Sequence, residues 1–458
     1  LGMVAHACNP SLWEQKYFAQ ASYRRDASSR FAKKNRWGDF WSIGGAWIIS
    51  KEKFFQDLNT KWVDNLKLKA SIGQQGNDGI PNFNYIDMYT LVRGGQSMLP
   101  SFSGIGNPKI TWETTTNFNL GLEFNLFQNR LNGEFNFYNK KTTDMLFWLS
   151  VPESMGVRGY YGILGDIRNT GVEFTLNGDI IRTKNIVWSA SANISHNRAK
   201  ALKLDPVKTA QYGGFSQADV NAGFNVPMWY AEGQPLYNAM LADYAGVNDK
   251  GLPQYWVDED IYNDYKAGKM SVSSKPGTKH SFLTTDWREA TKYTHQMLPV
   301  ANGGFTTSLR VYDFDVNLIF DYQIGGKIYD FGYAGLMGNV TTKSEGYNLS
   351  KDILKAWTPD NTSSDIPRFM YTDQSTRFLT SARYLNFQSF TVGYSVPAKI
   401  ARALMLSKIR IYVQGQNLCF WSARKGLDPR YSFQGTSHAG INAYAPVRTI
   451  MGGLQLSF

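Results

Sequence analysis

From Tyr312 to Tyr322, large apolar and polar residues alternate with a period of two. Tyr312, Phe314, Val316, Leu318, Phe320 and Tyr322 fall on one side, and Asp313, Asp315, Asn317, Ile319 and Asp321 on the other. Successive side chains of a strand point to opposite faces, so this spacing predicts a strand between two unlike surroundings. The carboxylates need water, and the large apolar groups need hydrocarbon or a core. The pattern recurs at Phe118 to Leu126 and at Leu131 to Tyr138. The intervening Gln128-Asn129-Arg130 predicts a hairpin with a short turn. Further strands are expected at Leu66 to Gln74, Gly171 to Asn177, Val187 to Ser195, Leu385 to Tyr394, Ile409 to Gln416 and Thr449 to Phe458. Phe40 to Ser50 is ambiguous, because Trp41, Ile43 and Trp47 oppose Phe40, Ala46 and Ile48 with no polar face.

The apolar faces carry no charge. A Lys or Arg on a lipid face at mid-bilayer costs about 2 to 4 kcal/mol. A soluble sandwich would also exclude charge from its inner face, so length has to discriminate. Runs of about 9 to 11 residues suit a tilted membrane strand, whereas globular strands average about 5 to 6. Between the strands, Pro152 to Asp166, Lys203 to Val226, Asn248 to Leu298 and Tyr333 to Arg383 read as long polar loops. Compact soluble domains seldom hold such loops, but outer-membrane barrels put long loops at one end and short turns at the other. A short helix is expected at Leu349 to Trp357, ended by Thr358-Pro359. The expected fold is all-β: a transmembrane antiparallel β-barrel, here with roughly 12 to 14 strands.

Composition fits this picture. Aromatics make up 15% of the 458 residues, Gly is abundant at 42 and Cys is only 2, as many strands joined by turns require. Mean hydropathy is −0.36 and no run approaches the roughly 18 apolar residues of a membrane helix. The net charge of +11 comes from dispersed Lys and Arg without a nucleic-acid motif, so no nucleic-acid partner is expected. Cys8 and Cys419 show no metal spacing, and Cys419 reads as a small buried apolar residue. The start lacks the basic and apolar regions of a secretion signal, so the chain is expected to have lost one or to begin within a longer protein.

Several passages resemble the SusC/RagA family of TonB-dependent outer-membrane proteins. Ser22-Tyr23-Arg24-Arg25-Asp26-Ala27-Ser28-Ser29-Arg30-Phe31 is similar to the family's R-D-G-S-S-R-F segment, with Ala27 in place of Gly. Leu66-Lys67-Leu68-Lys69-Ala70-Ser71-Ile72-Gly73 with Gly76-Asn77, Trp112-Glu113 with Asn117, and Asn169-Thr170-Gly171-Val172-Glu173 follow in the family's order. Val392-Gly393-Tyr394-Ser395-Val396-Pro397, Arg410 to Leu418 and Gly426-Leu427-Asp428-Pro429 complete the series. The resemblance implies the C-terminal strands of a 22-stranded, plugged barrel. It covers residues 13–458, without the plug domain or the energy-coupling Ton box. Residues 1–12 match nothing in the family and resemble a translated primate interspersed repeat, so an unstructured, chimeric leader is expected there.

The resemblance further implies import of a glycan or peptide fragment across the outer membrane. The implied partners are a SusD-like surface lipoprotein, TonB reached through the missing N-terminal region, and outer-membrane lipid. No cofactor is implied. Candidate ligand contacts are the loop aromatics Trp229, Tyr230, Tyr237, Tyr255, Trp256 and Trp287, joined by Tyr293. An amphipathic ring can stack on a sugar, although loop packing explains the same residues. Asp258-Glu259-Asp260 with Asp264 offers oxygen ligands for calcium but lacks the EF-hand spacing, so a solvated acidic loop is the simpler reading. The scattered His6, His196, His280, His295 and His438 form no HExxH, and no nucleophile motif or phosphate loop is present, so no enzyme is expected. Two alternatives stay open: a non-transporting surface β-protein that binds carbohydrate, and a soluble β-sandwich carbohydrate enzyme. The final strand ends on Phe458 in the apolar register, similar to the signal read by the barrel-insertion machinery. Deleting Phe458 is expected to lower the yield of heat-modifiable, membrane-inserted protein on gels while leaving ligand affinity unchanged; unimpaired insertion would contradict this role.

Overall fold

The computed structural model describes all residues except 1–2, 13–14, 59, 95–96, 210–212, 218–225, 269–271, 274–280, 339–347, 370, 372 and 433–445. The chain forms two compact units. The first comprises Leu1–Gly178, Asn197–Lys208 and Glu232–Gln234; the second comprises Asp179–His196, Thr209–Ala231 and Pro235–Phe458. In the first, β1 (Met3–Leu12), β2 (Tyr17–Ala27), β3 (Trp37–Ile48), β4 (Val63–Asn77), β5 (Glu113–Leu126), β6 (Leu131–Thr143) and β7 (Gly165–Arg182) pair antiparallel in chain order. In the second, β8 (Ile186–Leu204), β9 (Ala301–Val311), β10 (Phe314–Ile324), β11 (Tyr384–Ser395), β12 (Lys408–Ser422) and β13 (Thr449–Ser457) do the same. Most of these strands are longer than a globular strand needs to be. No helix among the described residues is long and apolar enough to cross a membrane.

Register turns the sequence alternation into two continuous faces. In the second unit, Trp188, Leu309, Val316, Val392 and Val413 are successive cross-strand partners. Two rows along the same face Phe305, Phe320 and Phe387 stack, each ring centroid 4.5 Å from the next. In the first unit the equivalent row is Tyr17, Trp47, Leu68, Leu122, Phe135 and Phe174. Many of these side chains are open to the surroundings, Phe135 by 42% and Val413 by 44%. An apolar face that stays open along these rows, with charge on it only toward the strand ends where Arg25 faces Asp39 and Arg168 faces Lys141, is built for lipid. The same register resolves Phe40 to Ser50. Trp41, Ile43 and Trp47 join the lipid face, while Phe40 turns to the other side, buried 5.3 Å from the Trp112 ring.

Five expectations need correction. The strand expected from Tyr312 starts at Phe314, because Tyr312 has a φ of 52° and forms the turn; its apolar side chain let the alternation run across the corner. The leader expected to lack structure carries a strand over its described residues: Met3–Leu12 pairs with β2 from Met3↔Arg25 to Asn9↔Ala19. A strand edge offers backbone partners to almost any sequence, and the register breaks only around Pro10, which has no N–H to donate. Cys419 is exposed, not buried, opposite Phe387 on the apolar face. The long connections are not plain loops. Met88–Gly94 pairs with Ser97–Gly104, and the β8–β9 connection carries a five-stranded and a three-stranded sheet. The helix expected at Leu349 to Trp357 is a single 3-10 turn, Lys351–Lys355, capped by the Ser350 hydroxyl.

Short turns close β5–β6, where Phe127, Gln128 and Asn129 all adopt positive φ, and β9–β10. Within each unit the long connections leave from the opposite strand ends. The two faces predict unequal responses to one charge. Leu318→Arg on the apolar face should destabilise the inserted protein by about 2 to 4 kcal/mol in a reversible membrane-folding titration, and Asn317→Arg next to it by less than about 1 kcal/mol.

Candidate functional site

The polar face of the first unit is organised around one lysine. Glu123 and Glu134 are direct cross-strand partners, an arrangement that repels. Lys69, on the neighbouring β4, donates to Glu123 and, at 2.7 Å, to Glu134. Lys67 lies 3.4 Å from Glu123, and Asn136 donates to Glu134 at 2.9 Å. Gln20, Ser71, Asn119, Tyr138 and Glu173 join Lys69 around a cavity of about 760 Å³ on this face.

The second unit presents a different polar wall. A cavity of about 410 Å³ is lined by Asn193, Asn302, Thr306, Asp321, Tyr384 and Gln388, which are mostly amides and hydroxyls. Asn386 donates to Asp321 at 2.7 Å. Further along the wall Arg410 pairs with Asp315 at 2.5 Å. Around the end of β12, Phe420, Arg424, Lys425 and Arg430 border a cavity of about 460 Å³. Arg424 is held there by Asp330, which also caps the helix Phe331–Leu336 by accepting from the Tyr333 N–H.

The loop aromatics separate into two groups. Trp229, Tyr230, Tyr255 and Tyr293 are buried, with Tyr230 stacked on Phe215 at 5.2 Å, so packing occupies their rings. Tyr237, Trp256 and Trp287 are half-buried. Trp287 packs against Ala242, Tyr255 and Ala290, with the Lys292 ammonium 5.1 Å from its ring. Burial pulls the Lys292 amine down to about 8. The structure therefore brings Trp287 and Tyr255 together.

The acidic run opens a helix, Glu259–Lys266, whose first turn carries Glu259 and Asp260, where the helix dipole favours anions. Asp258 is buried ahead of it, and its N–H donates to Thr291 at 2.8 Å. Among the described residues no group of three or more His, Cys, Asp or Glu is placed to hold a metal. His295 pairs with Asp243 at 3.0 Å and His196 contacts the Val300 carbonyl; His280 and His438 lie outside the described residues.

Sequence reading missed the centre of the second unit's loop body. Asp373, 3% exposed, accepts from the Tyr255 hydroxyl at 2.7 Å and from the Ser375 hydroxyl at 3.0 Å. Burial pushes the Asp373 carboxyl above its ordinary value, against the opposing pull of Tyr255, Arg377 and Ser375, and it raises the Tyr255 hydroxyl as well. Asp373 lies far from Tyr255 in sequence, and no local motif marks it.

A family profile described as TonB dependent receptor-like, beta-barrel, matches residues 11–258. The chain belongs to the TonB-dependent receptor β-barrel family. Its strands form part of an outer-membrane barrel, with the apolar faces toward lipid. It is 28% identical to TonB-dependent receptor P3 of Formosa agariphila, covering 97% of this chain and 44% of that protein. It is 25% identical to TonB-dependent receptor SusC of Bacteroides thetaiotaomicron, over 97% of this chain and 42% of that protein. Among solved structures, that of the RagAB peptide transporter superposes with a TM-score of 0.80 at 28% identity, covering 97% of this chain and 46% of that chain. The chain thus spans less than half the length of these relatives. The family is one of receptors and transporters.

Removing the Tyr255 hydroxyl leaves the buried Asp373 short of a donor. Tyr255→Phe should weaken the loop body by about 1 to 3 kcal/mol. Native-state hydrogen exchange at the Ala242 and Tyr244 amides should report the loss, with the strand amides of β9 and β10 unchanged.

Proposed function

We propose that this chain supplies wall and outer mouth to a TonB-driven importer of a glycan or peptide fragment, working beneath a SusD-like surface lipoprotein. The observation that carries the reading is the pair of faces: an apolar face for lipid, and a polar face whose cavities are lined by amides, hydroxyls and balanced charge. Such a wall offers hydrogen bonds to a hydroxyl-rich or amide-rich ligand without fixing it by net charge. The RagAB relative, a peptide transporter, and SusC support the same class.

Of the loop aromatics, Tyr237, Trp256 and Trp287 keep partly open rings and are proposed as ligand contacts; Trp229, Tyr230 and Tyr255 are proposed to support them from within. Uptake of labelled oligosaccharide and peptide libraries by cells carrying the intact receptor locus tests the reading. Alanine at Tyr237, Trp256 or Trp287 should weaken ligand affinity roughly 2- to 10-fold, the worth of one aromatic contact. Binding without uptake in the intact receptor would favour the non-transporting surface protein, and neither binding nor uptake would remove both.

A further inference from the structure

The β8–β9 and β10–β11 connections of the second unit are clasped together. Ala242 and Ser375 form a parallel bridge, and the Ala242 N–H donates to the Gln374 carbonyl. The Tyr244 N–H donates to the Thr376 hydroxyl at 3.0 Å and the Tyr244 hydroxyl to the Asp365 carbonyl at 2.6 Å. The Arg368 N–H donates to the Gly251 carbonyl at 3.0 Å. Asp373 sits at the middle of this seam, its carboxylate reached by Tyr255 from one connection and Ser375 from the other. We propose that the two connections move as one latched body, and that Asp373 is the catch through which solvent pH opens it.

A seam made only of backbone bonds and apolar packing would be indifferent to pH. This seam buries a carboxyl group among neutral hydroxyls. The titratable groups that face it are Tyr255 and Tyr244 from the β8–β9 connection, Tyr329, whose hydroxyl donates to the Asp373 carbonyl, and Arg377 from its own segment. Asp365 lies at the far end of Tyr244. Arg377 and the hydroxyls favour the carboxylate, but burial outweighs them and the pKa is raised in the latched state. A carboxyl that holds its proton more tightly when latched makes the latch tightest below the ordinary carboxyl pKa of about 4. The latch loosens as pH rises through the raised value. Within that window the open population grows by up to about tenfold per pH unit, the limit for one proton. Nothing in the latch depends on which ligand passes, so it can hold or fail separately from the import reading.

The test uses the membrane-embedded protein with its native cysteines replaced by serine and spin labels at the exposed positions Lys250→Cys and Lys355→Cys, one in each connection. Pulsed electron resonance at pH 4 and pH 8 should give a single distance at pH 4 and an added longer component at pH 8. Asp373→Asn keeps an acceptor for Tyr255 but cannot ionise, and should hold the single distance at both pH values. Tyr255→Phe removes a donor from the ionised form and should enlarge the longer component at pH 8 relative to the parent. Identical distances at both pH values in the parent would overturn the proposal, as would an unchanged pH response in Asp373→Asn. A protein that imports nothing yet shows this pattern keeps its latch and loses only the importer reading.

Discussion

Hydrocarbon offers no hydrogen bonds, so a chain that crosses it as strands must pair its backbone groups with one another and turn only apolar side chains outward. The rest of this structure follows from that constraint. Register is its instrument, because a slip of one residue would exchange every outward side chain for an inward one. Both faces hold the register. On the lipid side, Phe305, Phe320 and Phe387 stack across β9, β10 and β11. On the polar side, Lys69 of β4 reaches Glu123 of β5 and Glu134 of β6, and a slipped β4 would leave two opposed glutamates without a cation.

The connections obey a different rule, since they meet water and can fold as soluble protein does. The β8–β9 connection builds sheets of its own and buries Met228, Leu241, Tyr255 and Tyr293 almost completely. Aromatic residues in such a segment are therefore divided between core and surface. This division explains why a list of loop aromatics mixes supports with candidate contacts. Asp373 shows the cost of this construction, a dehydrated carboxyl that joins two connections and makes their union sensitive to protons.

Strands were legible wherever one face stayed charge-free, because period two is written directly into Phe118 to Leu126 or Thr449 to Phe458. Even the Glu123–Glu134 juxtaposition follows from the hairpin turn at Gln128, although the reach of Lys69 across β4 does not. Alternation misjudged ends, as at Tyr312, where an apolar residue sits in the turn. It also said nothing of Met3–Leu12, whose pairing is a backbone property of a neighbouring edge. The loop body was not legible because its contacts join residues more than a hundred positions apart, as in Tyr255 with Asp373 and Tyr244 with Thr376. Neither periodicity nor local motif carries such pairings.

In each unit the strands separate lipid from water with a period of two. Single cysteines placed from Asp315 to Asp321 in the membrane-embedded protein test it most directly, read by a water-soluble thiol reagent and by a lipid-borne fluorescence quencher. Quenching without labelling is expected at Val316, Leu318 and Phe320, and labelling without quenching at Asp315, Asn317, Ile319 and Asp321. Uniform labelling along the segment, or quenching that does not alternate, would contradict it.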